Sequence, residues 1–212
     1  RTPLQSIRQL PAGSWMQIRQ GRVEVHKWWD VDYSPDAVDW SRSDESWQEE
    51  VRATLSEACR LRLRADVTVG TYLSGGLDSS IITWLSKANH QPDLQTFSIA
   101  FSDAGYDESE FQNLVAGDIG TEHHRLAIGR ESVAEHFERA IWHTETPMHR
   151  TAPIPLMQLS GMVRSAGMKV VLSGEGADEV FGGYDQFKEN KIRRFWARSP
   201  GSSWRKRLLD RL

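Results

Sequence analysis

Apolar and polar positions along the chain alternate between two periods. Val67 to Leu73 is a short apolar run that predicts a buried strand. Behind it Leu77, Ile81, Leu85 and Ala88 recur at helical spacing, in a helix ending near Pro92. The alternation then repeats. Leu94 to Phe101 predicts a second strand, and Asp107 with Glu110 caps a helix carrying Phe111, Leu114 and Val115 that stops at Gly120. His124 to Ile128 predicts a third strand. Ser132 and Glu135 cap a helix with Val133, Phe137 and Ile141, Pro155 to Arg164 predicts another, and Met168 to Leu172 a fourth strand.

Strands separated by helices pair in parallel through right-handed crossovers, so the pattern predicts an α/β, doubly wound parallel sheet. The start of the chain differs. Trp15 to Ile18, a turn at Gly21 and Val23 to Trp29 read as a β-hairpin, with Trp28 and Trp29 packing it onto the domain. A Ser/Asp-rich linker follows, then a capping box of Ser46 and Glu49 with Trp47, Val51, Leu55 and Ala58 at helical spacing. There are no internal repeats or low-complexity segments.

Composition narrows the class only slightly. The chain has 212 residues, 39% of them hydrophobic and 26% charged, which suits one sizeable core with an appended segment. No apolar stretch approaches the ~20 residues needed to cross a bilayer, and no signal-peptide pattern opens the chain, so neither a membrane nor export is expected. A single cysteine, Cys59, fits a reducing, cytoplasmic setting and a small core residue. The net charge of -3 carries no nucleic-acid signature. Arg1 instead of Met at the start, and a finish at Leu212 inside a basic stretch, read as a piece of something longer.

Two loops carry the chemistry. Ser74-Gly75-Gly76-Leu77-Asp78-Ser79-Ser80 sits between a strand and a helix start. Adjacent glycines let backbone approach a ligand, and N–H groups at the positive end of a helix attract an anion. Ser173-Gly174-Glu175-Gly176-Ala177-Asp178-Glu179 follows the strand 168–172. In a doubly wound sheet, ligands bind beyond the strand ends where the winding reverses. If strands 67–73 and 168–172 are neighbours there, both loops face one crevice. A triphosphate needs donors and a divalent cation gripped by one or two carboxylates. Ser79 and Ser80 are the candidate phosphate donors, Asp78 and Asp178 the candidate magnesium ligands, and Glu175 has glycines either side that clear space for a substrate.

With those loops the chain resembles the synthetase domain of the glutamine-hydrolysing asparagine synthetases. The likeness extends to Arg64-Ala65-Asp66-Val67, Thr96-Phe97-Ser98-Ile99, Tyr106-Asp107-Glu108, Gly120-Thr121-Glu122-His123-His124 and Val171 through Tyr184, over roughly residues 1–195. Phe181-Gly182-Gly183-Tyr184 after the acidic loop separates this family from GMP and NAD synthetases, which share the first loop. The resemblance implies a PP-loop ATP pyrophosphatase (adenine nucleotide alpha hydrolase-like) fold. Residues 1–40 would be a hairpin and linker leading from a glutaminase domain, 41–195 the ATP-binding domain, and 196–212 the start of a helical remainder.

It also implies a reaction. ATP and magnesium activate the aspartate side chain as an acyl-adenylate, and ammonia from glutamine displaces AMP to give asparagine. By this analogy Leu73, Ile99, Ser173 and Gly174 line the AMP site. Ser74, Gly75, Gly76, Asp78, Ser79 and Ser80 hold the phosphates and metal, Glu175 accepts a proton, and Asp178 binds magnesium. The implied partners are aspartate, ammonia and the parent chain's glutaminase domain, with homodimerisation left open. The family's nucleophilic cysteine and its downstream lysine have no counterpart here, so the fragment alone is expected to be inactive. Where some members carry Thr-Thr-x-Arg, this chain has Met148-His149-Arg150-Thr151-Ala152-Pro153; Arg150 or Thr151 is the substrate-contact candidate.

Adjacent His123 and His124 point to opposite faces of a strand and cannot pair on a metal. From Gln186 onward nine Lys or Arg face two acids, Glu189 and Asp210, which reads as a solvated face, or one that covers other parts of the parent enzyme, rather than a nucleic-acid site. Two alternatives stay open: adenylation of another carboxylate, as β-lactam synthetases do, or a non-catalytic nucleotide-binding domain.

Overall fold

A computed structural model describes residues 2, 4–32, 34, 36, 38–89, 93–103 and 105–208. A hairpin comes first, β1 (Ser14–Arg19) antiparallel to β2 (Arg22–Lys27). Gln20 and Gly21 both have positive φ at its turn, the geometry that suits the twist of two-residue hairpins. Its tryptophans do not pack it down: Trp28 is 69% and Trp29 56% exposed, against expectation. Trp28 instead completes the hairpin by donating from its N–H to Gly13 O (2.9 Å).

Helix α1 (Asp44–Arg62) is capped three residues earlier than expected. Ser43 is its N-cap, and its hydroxyl accepts from Ser46 N, while the Ser46 hydroxyl is occupied by Arg42. Cys59 is the buried residue of this helix, as its size suggested.

The main sheet holds β3 (Val69–Tyr72), β4 (Gln95–Phe101), β5 (Glu122–Ile128) and β6 (Val170–Leu172), all parallel, in the order β5-β4-β3-β6. From β3 the chain winds outward through α2 (Leu77–Ala88) to β4 and through α3 (Ser109–Ile119) to β5. It then returns through α4 (Arg130–Glu135), α5 (Phe137–Thr144) and α6 (Pro153–Ser165) to β6 on the other side of β3. The winding therefore reverses between β3 and β6, as the doubly wound expectation requires. The expected helix end near Pro92 lies outside the described residues; α2 closes on Asn89.

Side chains show which face each helix covers. Thr71 on β3 bonds Thr83 on α2 (3.1 Å, both buried), so α2 packs on that face. Phe97 on β4 joins Leu159 and Val163 of α6 and Met168 in a core cluster on the opposite face. Adjacent His123 and His124 divide accordingly. His123 lies within hydrogen-bond distance of Thr96 (2.8 Å) and Ser98 (3.2 Å), whereas His124 stacks on Phe97.

Three helices differ from their apolar spacing. In α3 the buried residues are Gln112 and Ala116, while Phe111 and Leu114 are each 60% exposed. Helix α2 buries Ser79, Thr83, Leu85 and Ser86, and Leu77 faces out, because close approach to β3 favours small side chains. The single helix expected behind Ser132 is two. It starts at Arg130 and breaks at His136, whose Nδ1 donates to Ser132 O (2.9 Å), and the Ser132 hydroxyl donates to Gln158 on α6 instead of capping. Gly120 ends α3 with φ 71°, as expected.

Candidate functional site

The switch point opens into a cavity of about 470 Å³ beyond the ends of β3, β4 and β6. Leu73 continues the β3 ladder by donating to Phe97 O (2.9 Å), after which the chain leaves the sheet at Ser74. Gly75 makes the bend with φ +89°, and a Cβ there would stand 2.9 Å from Phe111 Cβ and 3.0 Å from Gln112 N. Only glycine meets both the left-handed backbone and the close approach of α3.

Inside the bend the hydroxyls are bonded to one another. Ser79 Oγ accepts from Ser74 N (3.1 Å), lies 2.9 Å from Ser74 Oγ and donates to Gly76 O. Ser80 Oγ also donates to Gly76 O (2.7 Å). Helix α2 starts behind Gly76, so its free N-terminal N–H groups and positive dipole end point out of this turn.

The acidic loop meets it backbone to backbone. A Cβ on Gly174 would lie 2.8 Å from Ser79 N and 2.9 Å from Asp78 C. Further along, Gly183 donates from its N–H to Asp178 O (3.0 Å), and a Cβ on Gly183 would lie 1.9 Å from Asp178 Oδ1. The absence of a side chain at Gly183 leaves room for the Asp178 carboxylate. Tyr184 donates its hydroxyl to Glu179 (2.9 Å). That bond, then desolvation and the charges of Glu179, Asp178 and Glu175, raise the Tyr184 phenol above its ordinary range.

The cavity brings together most of the residues named from sequence. Leu73, Ser74, Asp78, Ser79 and Ile99 line it from one half of the sheet, and Ser173, Gly174, Glu175 and Asp178 from the other. Gly75, Gly76 and Ser80 shape the turn without being among the lining residues, and Arg150 is not among them either. Thr151 lines a neighbouring cavity of about 900 Å³ that shares Phe101 and Tyr106 with the first. Among the described residues no three His, Cys, Asp or Glu side chains gather as a metal site. Asp78 and Asp178 therefore suit a cation only if a ligand supplies further oxygens.

Sequence reasoning missed other parts of the wall, including Tyr72, Tyr106, Glu108, Gln112 and Tyr184. Tyr106, Glu108 and Tyr184 lie in motifs already noted but without a role. Tyr72 bonds Ser160 and is pushed above its ordinary range by burial. Gln112 gave no signal, since the apolar spacing of its helix points Phe111 inward.

By its fold the chain is an α/β protein with a crevice at the topological switch of a doubly wound sheet. The sequence model of the asparagine synthase family matches residues 50–212. The chain belongs to the asparagine synthase family. It is 32% identical over 219 residues to the amidase chyE of Penicillium rubens, covering 96% of this chain and 32% of that protein. Asparagine synthetase [glutamine-hydrolyzing] 1 of Bacillus subtilis is 31% identical over 204 residues, covering 96% of this chain and 31% of its own length. The chain thus spans about a third of the length of these curated relatives. Among solved structures, the NH3-dependent NAD synthetase of Campylobacter jejuni overlays with a TM-score of 0.46 at 18% identity, covering 70% of this chain and 62% of that one.

Proposed function

We propose that this chain is the ATP-binding part of an amide-forming ligase that converts aspartate to asparagine through a β-aspartyl-AMP intermediate, with ammonia from glutamine. One observation carries the reading: Gly174 rests on the Asp78–Ser79 peptide, so the glycine–serine turn and the acidic loop open into one cavity. An N-terminal helix end for phosphates beside carboxylates for a counter-ion is what an ATP-cleaving site requires.

Each residue then has a physical task. The α2 N–H groups, with Ser74 and Ser79, hold the phosphates in line. Asp78 and Asp178 would hold magnesium, which offsets charge on the leaving pyrophosphate. A carboxylate oxygen bonds to the α-phosphorus as the bridging P–O bond breaks and pyrophosphate leaves. Ammonia then attacks the acyl carbon, the bond to AMP breaks, and Glu175 takes the excess proton from nitrogen. Leu73, Ile99, Ser173 and Gly174 flank the adenosine. Fixed donors and cations where charge develops supply most of the rate. A glutaminase domain of the same parent chain is the proposed ammonia source.

Mg-ATP titration against the wild type and Asp78→Ala tests this. Binding lost only in the variant supports the reading, and no binding by either folded protein counts against it.

A second reading keeps the chemistry and changes the acid. The departure of Met148-His149-Arg150-Thr151-Ala152-Pro153 from the Thr-Thr-x-Arg pattern, together with Thr151 lining a roomier neighbouring cavity, supports adenylation of a carboxylate other than aspartate. ATP–pyrophosphate exchange stimulated by some other acid and not by aspartate would decide for it.

A further inference from the structure

In a parallel ladder, successive bonds to one neighbour come two residues apart. Leu73 N donates to Phe97 O, so the next donor, from position 75, belongs on Ile99 O. The chain has already turned away at Gly75, leaving that carbonyl without its strand partner inside the sheet. Gln112 supplies the donor. Its Nε2 lies 3.0 Å from Ile99 O and 3.4 Å from Ser74 O, so one amide joins the end of β4 to the first residue of the glycine–serine turn.

Gln112 is 2% exposed and lines the cavity. Its Oε1 has no partner, an unusual cost for a buried amide whose place could be filled by an apolar side chain. Its backbone N also packs where a Gly75 Cβ would be, so the same residue sets how closely α3 approaches the turn.

We propose that Gln112 is a positioning residue for nucleotide binding: it sets the spacing between the phosphate-holding turn and the β4 edge that flanks the adenosine. The inference rests on the reading of this crevice as an ATP site. It separates two ligands. ATP touches both the turn and Ile99, whereas pyrophosphate touches the turn alone, so loss of the link weakens the first more than the second.

The test measures Mg-ATP and Mg-pyrophosphate affinity for full-length wild type, Gln112→Ala and the similarly long Gln112→Met, whose side chain has no hydrogen to donate to either carbonyl. Loss of one such bond predicts about tenfold weaker Mg-ATP binding and less than about threefold weaker Mg-pyrophosphate binding in both variants. Gln112→Asn, which retains the donor on a shorter arm, recovers part of the loss. Equal weakening of both ligands, or collapse of the fold in both Gln112→Ala and Gln112→Met, would assign Gln112 a purely structural role and overturn the proposal. Unchanged affinities in the variants overturn it alone, while a wild type that binds neither ligand overturns it together with the ATP reading.

Discussion

A Cβ on Gly174 would stand 2.8 Å from the Ser79 amide nitrogen, closer than any real side chain sits, so the acidic loop and the glycine–serine turn touch through their backbones. The nearest atoms belong to the Asp78 and Ser79 main chain and the Asp78 Cβ, none of which can swing aside. Gly174→Ala is therefore expected to force the loops apart, costing about 1–3 kcal/mol of stability as overpacking does. Its urea midpoint should fall and Mg-ATP binding with it. An unchanged midpoint would mean that the loops do not meet this closely.

Gly75 and Gly167 separate two costs that glycines usually confound. Both have positive φ, +89° and +81°, but only Gly75 is crowded, by Phe111 and Gln112, whereas nothing lies within 4 Å of a Cβ on Gly167. Gly167→Ala should carry the backbone strain alone, about 1–2 kcal/mol. Gly75→Ala should exceed it by about 1 kcal/mol or more, because α3 must also move. Thermal melts of the two variants side by side check the ordering.

Gly183 lies against a side-chain tip, so its substitution should report on function more than on folding. An alanine Cβ there would fall 1.9 Å from Asp178 Oδ1, and the carboxylate must turn away. The expected result is a melting temperature within about 3 °C of wild type, a surface-like stability change, with weakened magnesium-dependent ATP binding. Retained affinity across a magnesium titration would remove Asp178 from the metal-binding role.

His123 makes stability depend on pH. Burial first, then the charges of Arg125 and His124, lowers its folded pKa below the ordinary 6.5. The unfolded chain therefore binds the proton more readily. The stabilisation is complete above pH 6.5 and is lost as pH falls below that value, down to the depressed folded pKa. Denaturant midpoints measured from pH 7.5 downward should show this decline in wild type. In His123→Gln the decline between pH 6.5 and 5.5 should be shallower, and identical slopes would show that the ring is not the group responsible.

Features set by neighbouring residues were legible in the sequence. The Gly21 turn, the Gly120 stop and the opposite facing of His123 and His124 depend on φ preferences and on the strand period, both local properties. So does the alternation of strand and helix, which implied a parallel doubly wound sheet. The strand–glycine–helix turn and the acidic loop were equally visible, since each is a continuous run.

Tertiary structure decided the rest. Which face of α2 and α3 is buried followed from how closely each helix approaches the sheet, and this turned Gln112 inward and Phe111 outward against their hydropathy. The helix break at His136 and the cap at Ser43 were settled by side-chain bonds to distant or competing partners. Most of all, the contact of Gly174 with Asp78 and Ser79 arises because β6 pairs with β3. That pairing is made through space between segments far apart in the chain, and no local preference of either loop encodes it.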